Sequence, residues 1–328
     1  MKHLRVWAEF FTPKQAMERR TIELLKKYSV KFNISTRSLD DDLAEMLRVY
    51  EKEGIDVSLW ILLSQELGYF PNERTVAEYS ALVDRIFNWA SEKDVRVPSI
   101  SVDLETPLYQ GLALKNSPWI KKLPIALDIL KSNMNRKKFQ EATEGYAEIL
   151  DKIHGFGAKT IAAAIPQVVD DVDDGRTALQ DLLETPITTV EWDAVSLMLY
   201  GSMFIGYTRG FISKPDMEYM IYDYCRDARK IFDSRAAVSI GVTGVGVLGD
   251  EPRYEHPGQL RGDAEAAKAA GVDDIAIYNF EGILAYQKPE EWFEAVLRAK
   301  PRVPPATPKV VLMRKIIKRG DRLLGRVF

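Results

Sequence analysis

Cysteine is almost missing from this chain. Cys225 is the sole one, which excludes a disulfide framework and a thiolate metal cluster and suits a reducing compartment. Histidine is nearly as scarce, with His3, His154 and His256 the full set, so a multi-histidine zinc centre is not expected. No stretch approaches the ~18 apolar residues of a membrane span. The opening MKHLRVWAEFF lacks a signal-peptide core ending in small residues, and the expected location is the cytoplasm. There is no Gly-x-Ser-x-Gly nucleophile elbow, and Cys225 falls in a predicted helix, so neither supports nucleophilic catalysis. No lysine stands near the end of a predicted strand, which disfavours Schiff-base chemistry. Internal repeats are absent, and the one linker-like tract is PRVPPATP at 301–308.

What is present suffices for a folded core. Of 328 residues, 46% are apolar and 28% charged, which excludes a disordered or fibrous chain and suggests either two domains or one α/β barrel. The charge is unevenly spread. From Lys300 onward nine basic residues stand against Asp321 alone, so a net charge of −3 hides an acidic body with a basic tail. An acidic body argues against nucleic acid as a partner.

Short β-branched or aromatic runs alternate with segments of helical period, as in repeated βα units. The runs are Leu4 to Phe10, Val30 to Ser35, Val57 to Leu63, Ser99 to Glu105, Lys159 to Ile165, Ala194 to Tyr200, Ala236 to Val242 and Asp274 to Phe280. Helices are predicted at Pro13 to Lys27, Leu39 to Lys52, Val76 to Ser91, Gly175 to Glu184, Pro215 to Phe232, Gln259 to Ala270 and Pro289 to Ala299. Thr75 with Glu78 has capping-box spacing, and Gly271 reads as a helix stop. Eight units match a (β/α)8 TIM barrel over 1–300. A doubly wound open sheet would offer a mid-chain boundary that this sequence lacks. Between strands four and five about 50 residues intervene, far beyond an ordinary αβ connection, and two helices there, Ile120 to Ser132 and Lys137 to Ile153, predict a helical insertion capping the barrel mouth. Residues 301–328 form a Pro-rich linker and a basic amphipathic tail.

Barrel active sites lie where strands end, and residues two apart on a strand share a face. Ser101, Asp103 and Glu105 therefore point the same way at the end of strand four. Two carboxylates at that spacing push their pKa values apart, as general acid chemistry requires. The plainer alternative makes Asp103 an inward hydrogen-bonding residue and Glu105 a loop cap. Other strand ends add Trp7 and Glu9, Asn33 and Ser35, Trp60 with Ser64, Gln65 and Glu66, Gln167, Met198 and Tyr200, and Asn279 and Glu281. An acidic, aromatic rim suits carbohydrate, because rings stack on sugar faces while carboxylates and amides bind hydroxyls. The predicted substrate is thus a carbohydrate or another small polar molecule, bound by Glu9, Trp7, Asn33, Trp60, Gln167, Asn279 and Glu281, with no cofactor and no metal.

Asp103-Leu-Glu105 and Met198-Leu-Tyr200 resemble motifs of glycoside hydrolase family 18, the chitinase-like barrels, whose strand four ends in D-x-x-D-x-D-x-E and strand six in M-x-Y-D. The resemblance implies Glu105 as general acid, Asp103 as the carboxylate steadying an N-acetyl group in substrate-assisted attack, and Tyr200 as the hydroxyl orienting it. Ser101 and Gly201 stand where the family has aspartates, and strand eight offers Tyr278 and Phe280 in place of a tryptophan. These departures leave open a different sugar chemistry or a non-catalytic glycan-binding or scaffold barrel.

Three further signals compete. Gly244-Val-Gly246-Val-Leu-Gly249 has dinucleotide-fingerprint spacing but does not open a helix directly; it could instead cradle a phosphate or be a plain flexible loop. Glu9, Glu105 and Glu281 with His256 could form an oxygen-rich metal site like those of sugar isomerase barrels. The tail puts Val310, Met313, Ile317 and Leu324 on one helical face; peripheral contact with an anionic membrane is one use of such a segment. Docking on the barrel or partial disorder is the favoured alternative, since Gly320 and Gly325 weaken a helix.

Overall fold

The computed structural model describes residues 2–171 and 176–327. Eight strands, β1 (His3–Ala8), β2 (Val30–Thr36), β3 (Val57–Ile61), β4 (Ser99–Leu104), β5 (Lys159–Ala164), β6 (Ala194–Leu199), β7 (Ala236–Gly241) and β8 (Asp274–Tyr278), close in sequence order into a parallel barrel. The fold is a (β/α)8 TIM barrel, and the strands stop one to two residues short of several predicted ends. Glu9, Glu105 and Tyr200 consequently sit just past the strands, on the first residues of the βα loops.

Alternation explains the two layers of packing. On β1, Leu4, Val6 and Ala8 join the core between sheet and helices, while Trp7 belongs to the inner cluster with Trp60, Ala163, Met198, Ala276 and Tyr278. Several polar inner positions are paired. Near the strands' N-terminal ends Arg5 holds Asp274 at 2.7 Å; a layer higher Ser58 meets Ser101 at 2.7 Å, Ser196 meets Ser239 at 2.8 Å, and Trp7 Nε1 donates to Ser239 Oγ at 2.9 Å. Buried hydroxyls need such partners.

Several local expectations are corrected. The predicted helix from Pro13 to Lys27 is two helices, Pro13–Ala16, which Thr12 caps, and Arg19–Lys27. The Thr75 capping box does not form: the Thr75 hydroxyl accepts from the Asn72 N–H at 3.0 Å instead. Gly175, where a helix is expected to start, lies outside the described residues, and the helix runs Ala178–Leu182. Gly271, at φ +82°, does end the Pro257–Ala269 helix in the left-handed conformation.

The insertion after β4 comprises helices Leu108–Asn116 and Trp119–Asn133, followed by the long Arg136–Gly155 helix that packs on the barrel. The tail is a continuous helix, Pro308–Val327, despite its two glycines. Its inner face is pinned by a buried ion cluster. Arg314, 4% exposed, reaches Asp223 at 2.6 Å, Asp227 at 2.9 Å and Asp170, and its guanidinium lies 4.0 Å from the Tyr224 ring centroid. No helix among the described residues is long and apolar enough to cross a membrane.

Candidate active site

A cavity of about 780 Å³ opens at the C-terminal end of the barrel. Trp7, Glu9, Trp60, Asp103, Glu105, Gln167, Met198 and Tyr200, all singled out at strand ends, line it together. Its walls also take Tyr278, which strand eight offered, and residues that strand reasoning did not supply: Phe70; Leu108 and Lys115 from the insertion; Tyr207 after β6; and Glu251 from the loop after β7.

Three carboxyl groups make the floor acidic. Asp103 and Glu105 lie within hydrogen-bonding reach of each other. Burial, then the nearby Glu105 and Glu9, hold the Asp103 pKa far above the carboxylate range. Burial also raises Glu105, to about 7, while the hydrogen bond from Asp103 pulls it down. Both carboxyls are thus biased toward their protonated forms, Asp103 the more strongly. This corrects the expectation of an ionised Asp103 beside a protonated Glu105: Asp103, 5% exposed, is too deeply buried to stay charged, and Glu105, which has some access to the cavity, titrates first.

Glu9 is held by two phenols. Tyr69 donates to Oε1 at 2.7 Å and Tyr278 donates to Oε2, while Arg37 supports Tyr69 at 3.2 Å. Burial raises the Glu9 pKa, and these two hydroxyls partly offset it. Tyr200 and Tyr278 lie with centroids 5.1 Å apart and planes tilted by 33°, and Trp7 meets Trp60 edge-on at 5.2 Å. These rings are apolar faces of the size a pyranose covers. Asp103 Oδ1, Gln167 Oε1, Glu251 Oε2 and Trp60 Nε1, all on wall residues, are buried without a hydrogen-bond partner. Three acceptors and one donor in one chamber match a ligand rich in hydroxyls.

Other predicted binders lie elsewhere. Asn33 is fully buried one layer below the floor, in register with Trp7 and Ser58, and both its amide atoms lack partners. Asn279 caps the Phe280–Ala285 helix by accepting from Gly282 N–H at 3.0 Å and donates to Val245 O at 3.0 Å. Glu281 accepts from the Phe10 N–H at 2.6 Å and lines a separate shallow groove. Ser64, Gln65 and Glu66 are exposed; the turn they open delivers Tyr69 and Phe70 inward instead.

The rival signals also resolve geometrically. In the Gly244 to Gly249 loop, a Cβ on Gly244 would strike Asn279 and Gly282, and one on Gly246 would strike the Tyr278 hydroxyl and Glu251. These glycines let the loop close over the site wall, and no helix opens on them. The four residues of the metal alternative do not converge: His256 accepts from Gly258 N–H at the start of its own helix, and Glu281 is engaged by Phe10. Among the described residues no three His, Cys, Asp or Glu side chains are grouped as a metal site.

No protein-family model matches the sequence, and no curated protein does. Among solved structures, the chain is similar to the PgaB (BpsB) glycoside hydrolase domain from Bordetella bronchiseptica, at 11% identity and a TM-score of 0.53 over 90% of this chain and 98% of that one. A GH5-4 broad specificity endoglucanase from Clostridium longisporum aligns over 85% and 84% of the two chains, at 11% identity and a TM-score of 0.47. An L-ribulose 3-epimerase aligns over 97% of each chain, at 12% identity and a TM-score of 0.46. Identities this low speak to the barrel fold, which the first of these structures shares.

Proposed function

We propose that the chain is a carbohydrate-processing enzyme, a glycoside hydrolase in which Glu105 is the general acid. The observation that carries this reading is the buried Asp103–Glu105 pair on the floor of a ring-lined cavity, where burial brings Glu105 to about 7. A carboxylic acid with that pKa is still substantially protonated near neutral pH, where an ordinary glutamate is not. Glu105 gives its proton to the glycosidic oxygen as the bond to the anomeric carbon breaks. Asp103, keeping the pair's remaining proton, donates it as a hydrogen bond to the new carboxylate. In a substrate that carries an N-acetyl group, as the family 18 resemblance implies, the leaving-group bond is replaced by one from the oxygen of the substrate's own acetamido group, which Asp103 and Tyr200 would orient as the internal nucleophile. Glu105 then takes a proton from the water that displaces that oxygen from the anomeric carbon, which restores the acid.

A panel of aryl N-acetylglucosaminides and other aryl glycosides tests the reading, with Glu105→Gln assayed beside the wild type. Aryl alcohol release that disappears in the variant supports it. Saturable sugar binding by both proteins with turnover by neither makes the chain a glycan-binding barrel instead.

A further inference from the structure

The tail helix turns a second apolar face to solvent. While Val310, Arg314 and Asp321 point into the body, Leu312, Ile316 and Leu323 are 59%, 60% and 62% exposed. They alternate with exposed Lys315, Arg319 and Arg322 at helical spacing, and no acidic residue interrupts that face. Neither Lys315 nor Arg319 forms an ion pair with a described residue. Beside the first turn the Phe211 ring is 67% exposed, 4.8 Å from Lys309 Nζ. Burial of Arg314 among Asp170, Asp223 and Asp227 fixes which way the helix faces.

We infer that this outward face docks on an anionic lipid surface. Charge complementarity selects the occupant: a uniformly cationic face on a strongly acidic body is drawn to negative charge and turns the acidic remainder away. A second copy of the same face would meet like charge. The aliphatic side chains between the cations select a lipid surface over another polyanion, because they can sink between headgroups while the lysine and arginine stems extend upward to the phosphates. Docking on the barrel and contact with a membrane are therefore compatible, each using its own side of one helix. This inference does not depend on the proposed activity.

Co-sedimentation of the full chain with phosphatidylcholine vesicles, with and without phosphatidylserine, tests it. Two double variants accompany the wild type: Lys315→Glu with Arg319→Glu, and Ile316→Gln with Leu323→Gln. All four positions are exposed, and unchanged thermal melts establish that both variants fold. The wild type is expected to pellet with phosphatidylserine vesicles, not with phosphatidylcholine alone, and to be released by salt. Each pair should weaken binding roughly tenfold or more. The inference is overturned if the wild type stays in the supernatant at low salt, or pellets equally with neutral vesicles. It is also overturned if only the charge variant loses binding, which describes a general polyanion site, or if sedimentation equilibrium shows a dimer that the apolar variant dissolves.

Discussion

At the Asp103–Glu105 pair the direction of each pKa shift makes opposite forecasts separable. If Asp103 carried a charge, removing it would lower the Glu105 pKa. Here Asp103 holds a proton and donates it, so Asp103→Ala should raise Glu105 above its present value of about 7, read by carboxyl ¹³C NMR titration; a downward move means that Asp103 is ionised. Stability follows by linkage. A carboxyl whose folded pKa lies above its unfolded value binds its proton more tightly in the native state, so its favourable contribution is full below the ordinary glutamate range and is lost as pH rises to about 7. Glu105→Gln should remove that slope, leaving the variant at least as stable as wild type at pH 7 and increasingly favoured between pH 5 and 8. Thermal melts of both proteins across that interval measure it, and strong destabilisation by Glu105→Gln at pH 7 would defeat the assignment. Residues such as Glu9, Asp103, Glu105 and Tyr200 were readable because strand alternation and strand ends leave a period-two trace. Tyr69 was not: it arrives through a turn in which Gly68 and Tyr69 both have positive φ, and no periodicity announces such a turn. Asn33 obeyed the alternation and still fell below the cavity, since its face was readable but its height along the barrel axis was not.

Elements were readable to the extent that their stability is local. All eight strands and the long helices carry apolar periods, whereas the failed cap at Thr75 follows from the preceding turn, where the Asn72 N–H donates to its hydroxyl, and such a turn has no period to read. The loop after β7 shows how tightly element and site are joined. Because a Cβ on Gly246 would collide with the Tyr278 hydroxyl, Gly246→Ala should push Tyr278 away from Glu9. We expect weakened sugar binding by calorimetry with a melting temperature within a few degrees of wild type, as the barrel layers below are untouched. A large drop in melting temperature would place Gly246 in the core's support instead. The tail helix is the sharpest case of local preference being overruled: two glycines argue against it, yet Arg314 supplies the counter-charge for three aspartates. Arg314→Ala leaves those carboxylates buried and unpaired, at a cost of about 3–5 kcal/mol. Arg314→Lys should recover little of this, because one ammonium cannot replace a planar fork that meets Asp170, Asp223 and Asp227 together. Chemical denaturation of the three proteins gives the comparison.

For the whole molecule, the uneven charge visible in composition becomes a structural division of labour. The barrel collects acids at Asp170, Asp216, Asp223 and Asp227, and the tail returns Lys309, Arg314 and Lys318 to them. A chain ending at Thr307 would keep the closed barrel and its cavity but lose those cations, leaving like charges facing solvent across a newly exposed apolar strip. Such repulsion is screened by salt, whereas the buried contacts of the full chain are screened far less. The truncated chain should therefore fold and melt lower than the full one at low ionic strength, and the gap should narrow as sodium chloride rises from ~0.01 M, where screening reaches about 30 Å, to ~1 M, where it falls to about 3 Å. Circular dichroism melts across that series decide the matter. A constant gap would assign the tail's contribution to apolar burial at Val310 and its neighbours, and failure to fold at any salt would make residues 301–328 part of the barrel's own core, not an appended segment.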